Sequence, residues 1–350
     1  MNYCGIDVSA HELIAALRTR NGELLQKTFP NTTAGHRQLL AWLQRASSPV
    51  RVTLEATGVY SLDLALALAP VAGLELAVVN PKLVRRFAQS LDERSKDDPL
   101  DARLLLQYAQ RMPFQPWHPP SPTRLALRNI TRHMAALTQS RTATRNRLHA
   151  AGSTRSTPAC VCHELQRELR YYQAALVRLQ RQARQLLAQD SQLQSQFDWL
   201  LTVPGIGELS ALQILAEVAL LGDRNVRQWV KHAGLDVRHH SSGSSVRRLP
   251  RISKCGNTYL RRALFMPALV AARFDPALHA CYEQLLARGK RKRQALAALM
   301  RKLLHAIYGM FRHRQPYRGH LLCPFSCPSG ETQAAQKDRF SCTSPEKKTP

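Results

Sequence analysis

The sequence predicts an α/β domain at the N-terminus, followed by a mostly α-helical arm and a helical C-terminal domain. Three observations carry that prediction. Apolar segments of strand length alternate with helical periodicities only as far as residue 112. Pro113, Pro116, Pro119, Pro120 and Pro122 then crowd together, a density that blocks helix and sheet alike. Beyond them, apolar residues step by three and four along most of the chain. A length of 350 residues suits two or three domains of ordinary size.

The elements of the first domain follow in order. Tyr3–Ser9 is a short apolar strand. Leu13–Thr19 and Glu23–Phe29 are two more, and Arg20-Asn21-Gly22 between them suits an antiparallel hairpin. Ala34–Ala46 carries Leu39, Leu40, Trp42 and Leu43 at helical spacing. Val50–Ala56 is a strand, Ser61–Leu68 a helix, and Leu74–Val79 a buried strand bounded by Gly73 and Pro81. Pro81–Gln89 and Leu100–Arg111 close the unit as helices. That succession is the one expected of an RNase H-like domain over residues 1–112.

Residues 113–123 form the linker, and 124–198 a helical arm. Leu127, Ile130, Met134, Leu137, Arg141, Thr144 and Leu148 keep heptad-like spacing. After a Gly/Ser/Thr/Pro break at 152–158, Leu165, Leu169, Tyr172, Leu176, Leu179, Ala183, Leu186 and Leu193 resume it. The pair reads as an antiparallel arm, with a dimerising coiled coil as the open alternative. Residues 199–314 mix helix and loop up to Phe274, then present a basic helical stretch over Leu285–Phe311. Residues 315–350 have no periodicity and read as a disordered tail.

Charge narrows the function. Lys and Arg number 50 against 24 Asp and Glu, a net charge of +26, which points to nucleic acid as the partner. A hydrophobic share of 44% excludes wholesale disorder. With no apolar run near the ~18–20 residues of a membrane span and no secretory signal, the expected location is the cytoplasm, at the nucleoid. The eight cysteines read as free thiols, since Cys160-x-Cys162-His163 and Cys323-x3-Cys327 lack second pairs at zinc-finger spacing.

With so few acids, those at strand ends stand out. Asp7 sits inside Gly5-Ile6-Asp7-Val8-Ser9, and Glu55 inside Thr53-Leu54-Glu55-Ala56. In an RNase H-like sheet these strands are neighbours. Asp98 and Asp101 share a face if their turn is helical. Four converging carboxylates repel, and two Mg²⁺ ions ~3.5–4 Å apart would resolve the conflict and serve phosphodiester chemistry. Asp98 before Pro99 reads equally well as a helix N-cap. Sugar-kinase and actin-like ATPase folds also open on Gly-x-Asp, but their Gly-rich phosphate loops do not follow in this domain.

The second half offers two more motifs. Leu200 to Ala211, with Pro204-Gly205-Ile206-Gly207 inside it, resembles a helix–hairpin–helix whose Gly205 and Gly207 amides could hold a DNA phosphate. A plain interhelical turn is the alternative. The run from Gly234 to Arg248 sets Ser241-Ser242-Gly243-Ser244-Ser245 among Arg and His. It is either a flexible basic linker or a hydroxyl nucleophile ringed by cations, with Arg247 and Arg248 as phosphate clamps.

Taken in order, Asp7, Glu55 in Glu-Ala-Thr-Gly-Val-Tyr, Asp98-x-x-Asp101-Ala102, Pro204-Gly205-Ile206-Gly207 and Ser242-Gly243 resemble DEDD-type insertion-sequence transposases, relatives of the Piv/MooV DNA invertases. Ile252-Ser253-Lys254-x-Gly256, Arg288-Gly289-Lys290 and Met300-Arg301-Lys302-Leu303-Leu304 extend the resemblance, which runs from about residue 3 to 312. It implies a RuvC-like domain, a helical arm and a C-terminal domain with a nucleophilic serine that forms a covalent phosphoserine link to DNA. It further implies Mg²⁺ held by the acids in a composite site between subunits, hence a dimer or tetramer. A noncoding bridge RNA pairing with donor and target DNA is also implied. Carried over, Asp7, Glu55, Asp98 and Asp101 are the metal ligands and Ser242 the nucleophile, with Ser241 the alternative. Gly205, Gly207, Arg247, Arg248, Lys254, Arg261 and Arg262 form the expected nucleic-acid-binding set. Asp97 stands where the family usually has Thr or Ser, Asp236-Val237-Arg238 lacks a proline often seen after Gly-Leu, and the tail has no counterpart. The expected function is thus a DNA transposase or recombinase; a metal-dependent junction nuclease and a non-catalytic nucleic-acid scaffold are the rivals.

Overall fold

The structure, a computed structural model, describes residues 1–46, 49–56, 58, 60–91, 98–242 and 246–319. The chain divides into two compact units, one ending at Pro120 and the other beginning at Ser121.

The first unit runs β1 (Asn2–Val8), β2 (Glu12–Arg18), β3 (Leu24–Pro30), α1 (Thr33–Gln44), β4 (Val50–Glu55), α2 (Leu62–Leu68), β5 (Leu74–Val79), α3 (Pro81–Ser90) and α4 (Asp98–Arg111). The strands form one sheet in the order β3-β2-β1-β4-β5. β2 is antiparallel to both β1 and β3, whereas β4 runs parallel to β1 and to β5. This mixed sheet is consistent with the RNase H-like domain expected from the sequence. Period-two burial assigns its two faces. Cys4, Ile6 and Val8 of β1, with Val50, Val52 and Leu54 of β4, pack against Leu39 and Leu43 of α1 and Leu64 and Leu68 of α2. Cys4 serves there as a small hydrophobe, and burial pushes its thiol pKa well up. The opposite face, including Tyr3 and Ile14, meets Ala102 and Leu106 of α4.

Local chemistry explains the helix starts. The Thr32 hydroxyl accepts from the Gly35 amide at 3.2 Å, and Asn80 accepts from the Lys82 amide at 2.9 Å with Pro81 opening α3. The proline-rich segment is tied to the same unit, since the Trp117 amide donates to the Leu76 carbonyl at 2.8 Å.

The second unit begins with α5 (Pro122–Gly152) and α6 (Ala159–Ala188). Arg141 bonds Gln173 and Thr144 bonds Glu168, so the order of contacts reverses along the two helices and the pair is antiparallel. There follow α7 (Ser191–Leu201), α8 (Glu208–Val218), α9 (Val226–Ala233), β6 (Val237–Ser242), β7 (Val246–Ile252), α10 (Thr258–Phe274), α11 (Pro276–Ala287) and α12 (Lys292–His313). α8 is the spine of this unit, with Ala211, Leu212, Ile214, Leu215, Ala216, Glu217 and Val218 all buried.

Three expectations need correction. The arm's second heptad run does not reach Leu193 unbroken: Asp190 caps a new helix by accepting from the Gln192 and Leu193 amides at 3.0 and 3.1 Å. The basic stretch Leu285–Phe311 is two helices, parted where Gly289 adopts φ 76°. The chain on both sides of the Ser/Gly-rich segment is not irregular, because β6 and β7 pair as an antiparallel ribbon, while residues 243–245 lie outside the described residues. The chain beyond α12 does not leave the fold at once. The Tyr317 amide donates to Thr202 Oγ1 at 3.0 Å, and its hydroxyl donates to Asp275 Oδ2 at 2.8 Å. Residues 320–350, the remainder of the expected tail, lie outside the described residues.

Candidate active site

The acids are placed by strand register. β1 and β4 pair in parallel up to Ile6 beside Leu54, so Asp7 and Glu55 follow as the next residues, side by side at the C-terminal ends of the strands. Ile6 and Leu54 belong to the core under α1 and α2, so alternation turns Asp7 and Glu55 to the other face, where α4 lies. Both are half-buried.

Gly5 explains how α4 comes so near. A methyl group at Gly5 would run into the Ala102 carbonyl and the Leu106 amide, so only glycine lets the α4 backbone rest on β1. That contact is two residues from Asp7 on one side and one residue from Asp101 on the other. The structure therefore brings Asp7, Glu55 and Asp101 to the same face of one sheet. The side chain of Asp98 lies outside the described residues, as do Asp97 and the segment 92–97. Among the described residues, no group of three or more His, Cys, Asp or Glu side chains is gathered closely enough to hold a metal ion.

Ser241 and Ser242 end β6, where Ser241 pairs with Arg247 and Ser242 with Val246 in backbone register; Arg248 pairs with His240. Gly243 and the side chains of Ser241, Ser242, Arg247 and Arg248 lie outside the described residues.

The ribbon is anchored by its flanks. The Ser253 hydroxyl donates to Asp236, and the Ser253 amide to the Asp236 carbonyl at 2.8 Å. Lys254 is exposed and takes φ 51°, with its amide on the Gly234 carbonyl. Gly256 is indispensable sterically, since a methyl group there would strike the His232 carbonyl. Arg261 is engaged in the fold: its Nη1 donates to the Ala233 carbonyl at 2.9 Å. Arg262 is exposed on α10.

The sequence reading missed the group that holds this corner. Glu217, only 1% exposed at its side chain, receives both prongs of Arg132, Nε at 2.8 Å and Nη2 at 2.9 Å. Asn257 Nδ2 donates to the same carboxylate while its Oδ1 caps α10 through the Leu260 amide. The Arg132 guanidinium also lies 4.8 Å from the Tyr259 ring centre. Asn257 Nδ2 lies 3.2 Å from His232 Nε2. Burial, then Arg224, lowers the His232 pKa. The signal was present: a lone acid within Ile214-Leu215-Ala216-Glu217-Val218 demands a buried partner.

The two glycines of the interhelical turn play different parts. Gly205 has φ 87°, and an added Cβ would sit 2.8 Å from Val270 Cβ, so turn geometry and packing require it. Gly207 precedes α8 with φ −85°, and an added Cβ would meet nothing within 4 Å.

A mixed sheet consistent with the RNase H-like fold, with acids at its strand ends, in a chain of net charge +26, suits the class of enzymes that act on nucleic-acid phosphodiesters. Known proteins give the family. The DEDD transposase description of the IS110 group matches residues 4–151, and that of the IS116/IS110/IS902 transposase family matches residues 198–283. The pilin gene-inverting protein of Moraxella lacunata is 31% identical over 324 residues, covering 90% of this chain and 97% of that protein. Its counterpart in Moraxella bovis is 30% identical with the same coverage. A probable family 20 transposase of Pseudomonas aeruginosa is 39% identical over 114 residues, 31% of each chain. The chain belongs to the IS110 family of transposases and is a DNA transposase/recombinase. Among the described residues, no helix is long and apolar enough to cross a membrane.

Proposed function

We propose that this transposase is a Mg²⁺-dependent recombinase in which Ser242 forms a transient covalent bond to DNA, guided by a bridge RNA. The observation that carries the reading is the adjacency of Asp7 and Glu55 at parallel strand ends, with Asp101 on the helix laid over the same face. An all-carboxylate donor set suits a hard cation, so Asp7, Glu55 and Asp101, with Asp98 as the fourth, are the residues that would hold Mg²⁺. The ion would neutralise charge at the scissile phosphate.

Ser242 is the last residue of β6, paired in backbone register with Val246 of β7. Its hydroxyl oxygen bonds to phosphorus as the phosphorus–sugar-oxygen bond breaks; the serine proton leaves and the departing sugar oxygen gains one. Attack by another strand's hydroxyl on the phosphoserine restores both, so exchange needs no energy source. Arg247 and Arg248, across the ribbon, would balance charge at the pentacoordinate phosphorus. Gly207, with open space before the α8 amides, is the turn position suited to a DNA phosphate, in keeping with a helix–hairpin–helix. Exposed Lys254 and Arg262 extend that surface. The exposed arginines Arg145, Arg147, Arg170, Arg178 and Arg181 make the arm a support for RNA as well as DNA. The active form is a homo-oligomer, dimer or tetramer, with the composite site between subunits, acting at the nucleoid in the cytoplasm.

The test is incubation of the full chain with Mg²⁺, RNA and cognate DNA, followed by a denaturing gel for a protein–DNA adduct. Wild-type protein should give an adduct and strand exchange. Ser242→Ala should abolish both, Ser241→Ala should retain them, and Asp7→Asn should lower exchange by about 10²–10³-fold. Undiminished cleavage by Ser242→Ala would instead identify a metal-only junction nuclease.

A further inference from the structure

One cavity of the second unit has no part in the chemistry above. It encloses about 320 Å³ between the ends of α5, α7, α8 and α12 and the start of α9. Arg124, Arg224, Arg312 and Arg314 line it, against a single acid, Asp223. Trp229, Tyr308 and Phe311 supply the apolar wall, with Trp229 edge-on to Tyr308 at 5.2 Å and to Phe311 at 6.2 Å between ring centres.

Two donors there have no acceptor among the described residues. Trp229 is 5% exposed, yet its indole Nε1–H is unpartnered, and so is Arg124 Nε–H. The rest of the Arg124 guanidinium is fixed, with Nη1 on the Ala219 carbonyl at 3.1 Å and Nη2 on Gln192 at 3.3 Å. Buried donors without acceptors are costly, and an incoming oxygen would satisfy them. Arg314 adds a further sign. It ends α12 in the left-handed conformation, φ 53°, where glycine is the usual residue. The sequence keeps an arginine there despite the strain, and its side chain lines the cavity.

We propose that this cavity binds one unstacked nucleotide of a single-stranded polynucleotide, its phosphate on the arginines and its base against the aromatic wall. Four cations call for phosphate, the aromatic wall suits a base in any sequence, and Asp223 can accept from an exocyclic amino group. The volume, at the lower end of small-molecule sites, fits one nucleotide and not a duplex. The proposal is independent of the serine chemistry.

Fluorescence anisotropy of the full-length protein with labelled oligothymidine and oligouridine of roughly 12 nucleotides, and with a duplex, tests it. Arg314→Gly and Arg224→Gln should each weaken single-strand binding at least about fivefold, beyond the loss caused by Arg37→Gln, an exposed arginine of the first unit that has no part in either surface. Duplex affinity should fall no more than it does for Arg37→Gln. Arg314→Gly also relieves the strained helix end, so its thermal midpoint should hold or rise, which separates lost binding from lost folding. A loss confined to one oligomer would assign the cavity to RNA or to DNA; a loss on both would make it blind to the sugar. Thymidine monophosphate should displace the oligomer at concentrations where inorganic phosphate does not. Equal losses for all three variants, equal losses on duplex, or equal displacement by phosphate alone would each overturn the proposal.

Discussion

Two places in the molecule keep carboxylates away from bulk water, for opposite purposes. In the helical unit, Glu217 is sealed and saturated, gripped by Arg132 and Asn257 and unable to reach a ligand. In the sheet unit, Asp7 and Glu55 stand half-buried at the C-terminal ends of two neighbouring parallel strands, on the face that α4 covers. An acid gripped on all sides is a strut; acids side by side at strand ends are, on the proposed reading, the working ones.

Charge removal tests the contrast most strongly. Glu217→Ala leaves the half-exposed Arg132 guanidinium without its counterion, strips the Asn257 amide of its acceptor and opens a gap in the core, so it should cost about 2–3 kcal/mol of stability. Chemical denaturation measures this directly. The same change of charge at Asp7, Asp7→Asn, should shift stability by less than about 1 kcal/mol while removing activity. If the two variants lose equal stability, the distinction between strut and working acid fails.

The interhelical turn gives a smaller version of the same contrast. Gly205→Ala forces a side chain into a left-handed backbone and against Val270, and should cost about 2–3 kcal/mol. Gly207→Ala meets no neighbour and should cost less than about 1 kcal/mol. A stable Gly207→Ala protein with weakened DNA binding would sharpen the assignment of that position to a phosphate.

The two units were unequally legible in the sequence. In the first, strands buried on both faces and helices with clear caps announce themselves, and Leu74–Val79 matches β5 at both ends. Asp7 and Glu55 stood out because acids are scarce and apolar strands do not tolerate them idly. What Gly5 does could not be read, since the backbone it admits arrives about a hundred residues later. In the second unit, the ribbon escaped because it presents little apolar alternation in sequence; Val237 is exposed, and Ile252 packs on the core. The break before α7 was readable from Asp190 as a cap, and the break before α12 from Gly289, yet continuous heptad spacing and basic composition masked both. Glu217 was visible as an anomaly, but its partners lie 85 and 40 residues away.

Acidity supplies the mildest probe of the strut. His232 Nε2 faces the Asn257 amide nitrogen, which donates, so the ring nitrogen must accept and the neutral ring is the one that fits. Burial, reinforced by Arg224 and Arg132 against the opposing pull of Glu217, holds its pKa below the ordinary 6.5. His305, beside Arg301 and Lys302, and His36 are lowered in the same direction, each mainly by burial. As pH falls through the ordinary histidine value, the unfolded chain takes up these protons first, so the folded state loses stability from there down to the folded pKa values and keeps all of it above. The thermal midpoint should therefore fall between about pH 7.5 and 5.5, and His232→Gln, which retains an acceptor, should flatten that decline. Hydrogen exchange in α9 and α10 should quicken over the same interval in the wild type. A midpoint that rises on acidification, or a His232→Gln profile parallel to wild type, would show that His232 contributes nothing to the Glu217 corner.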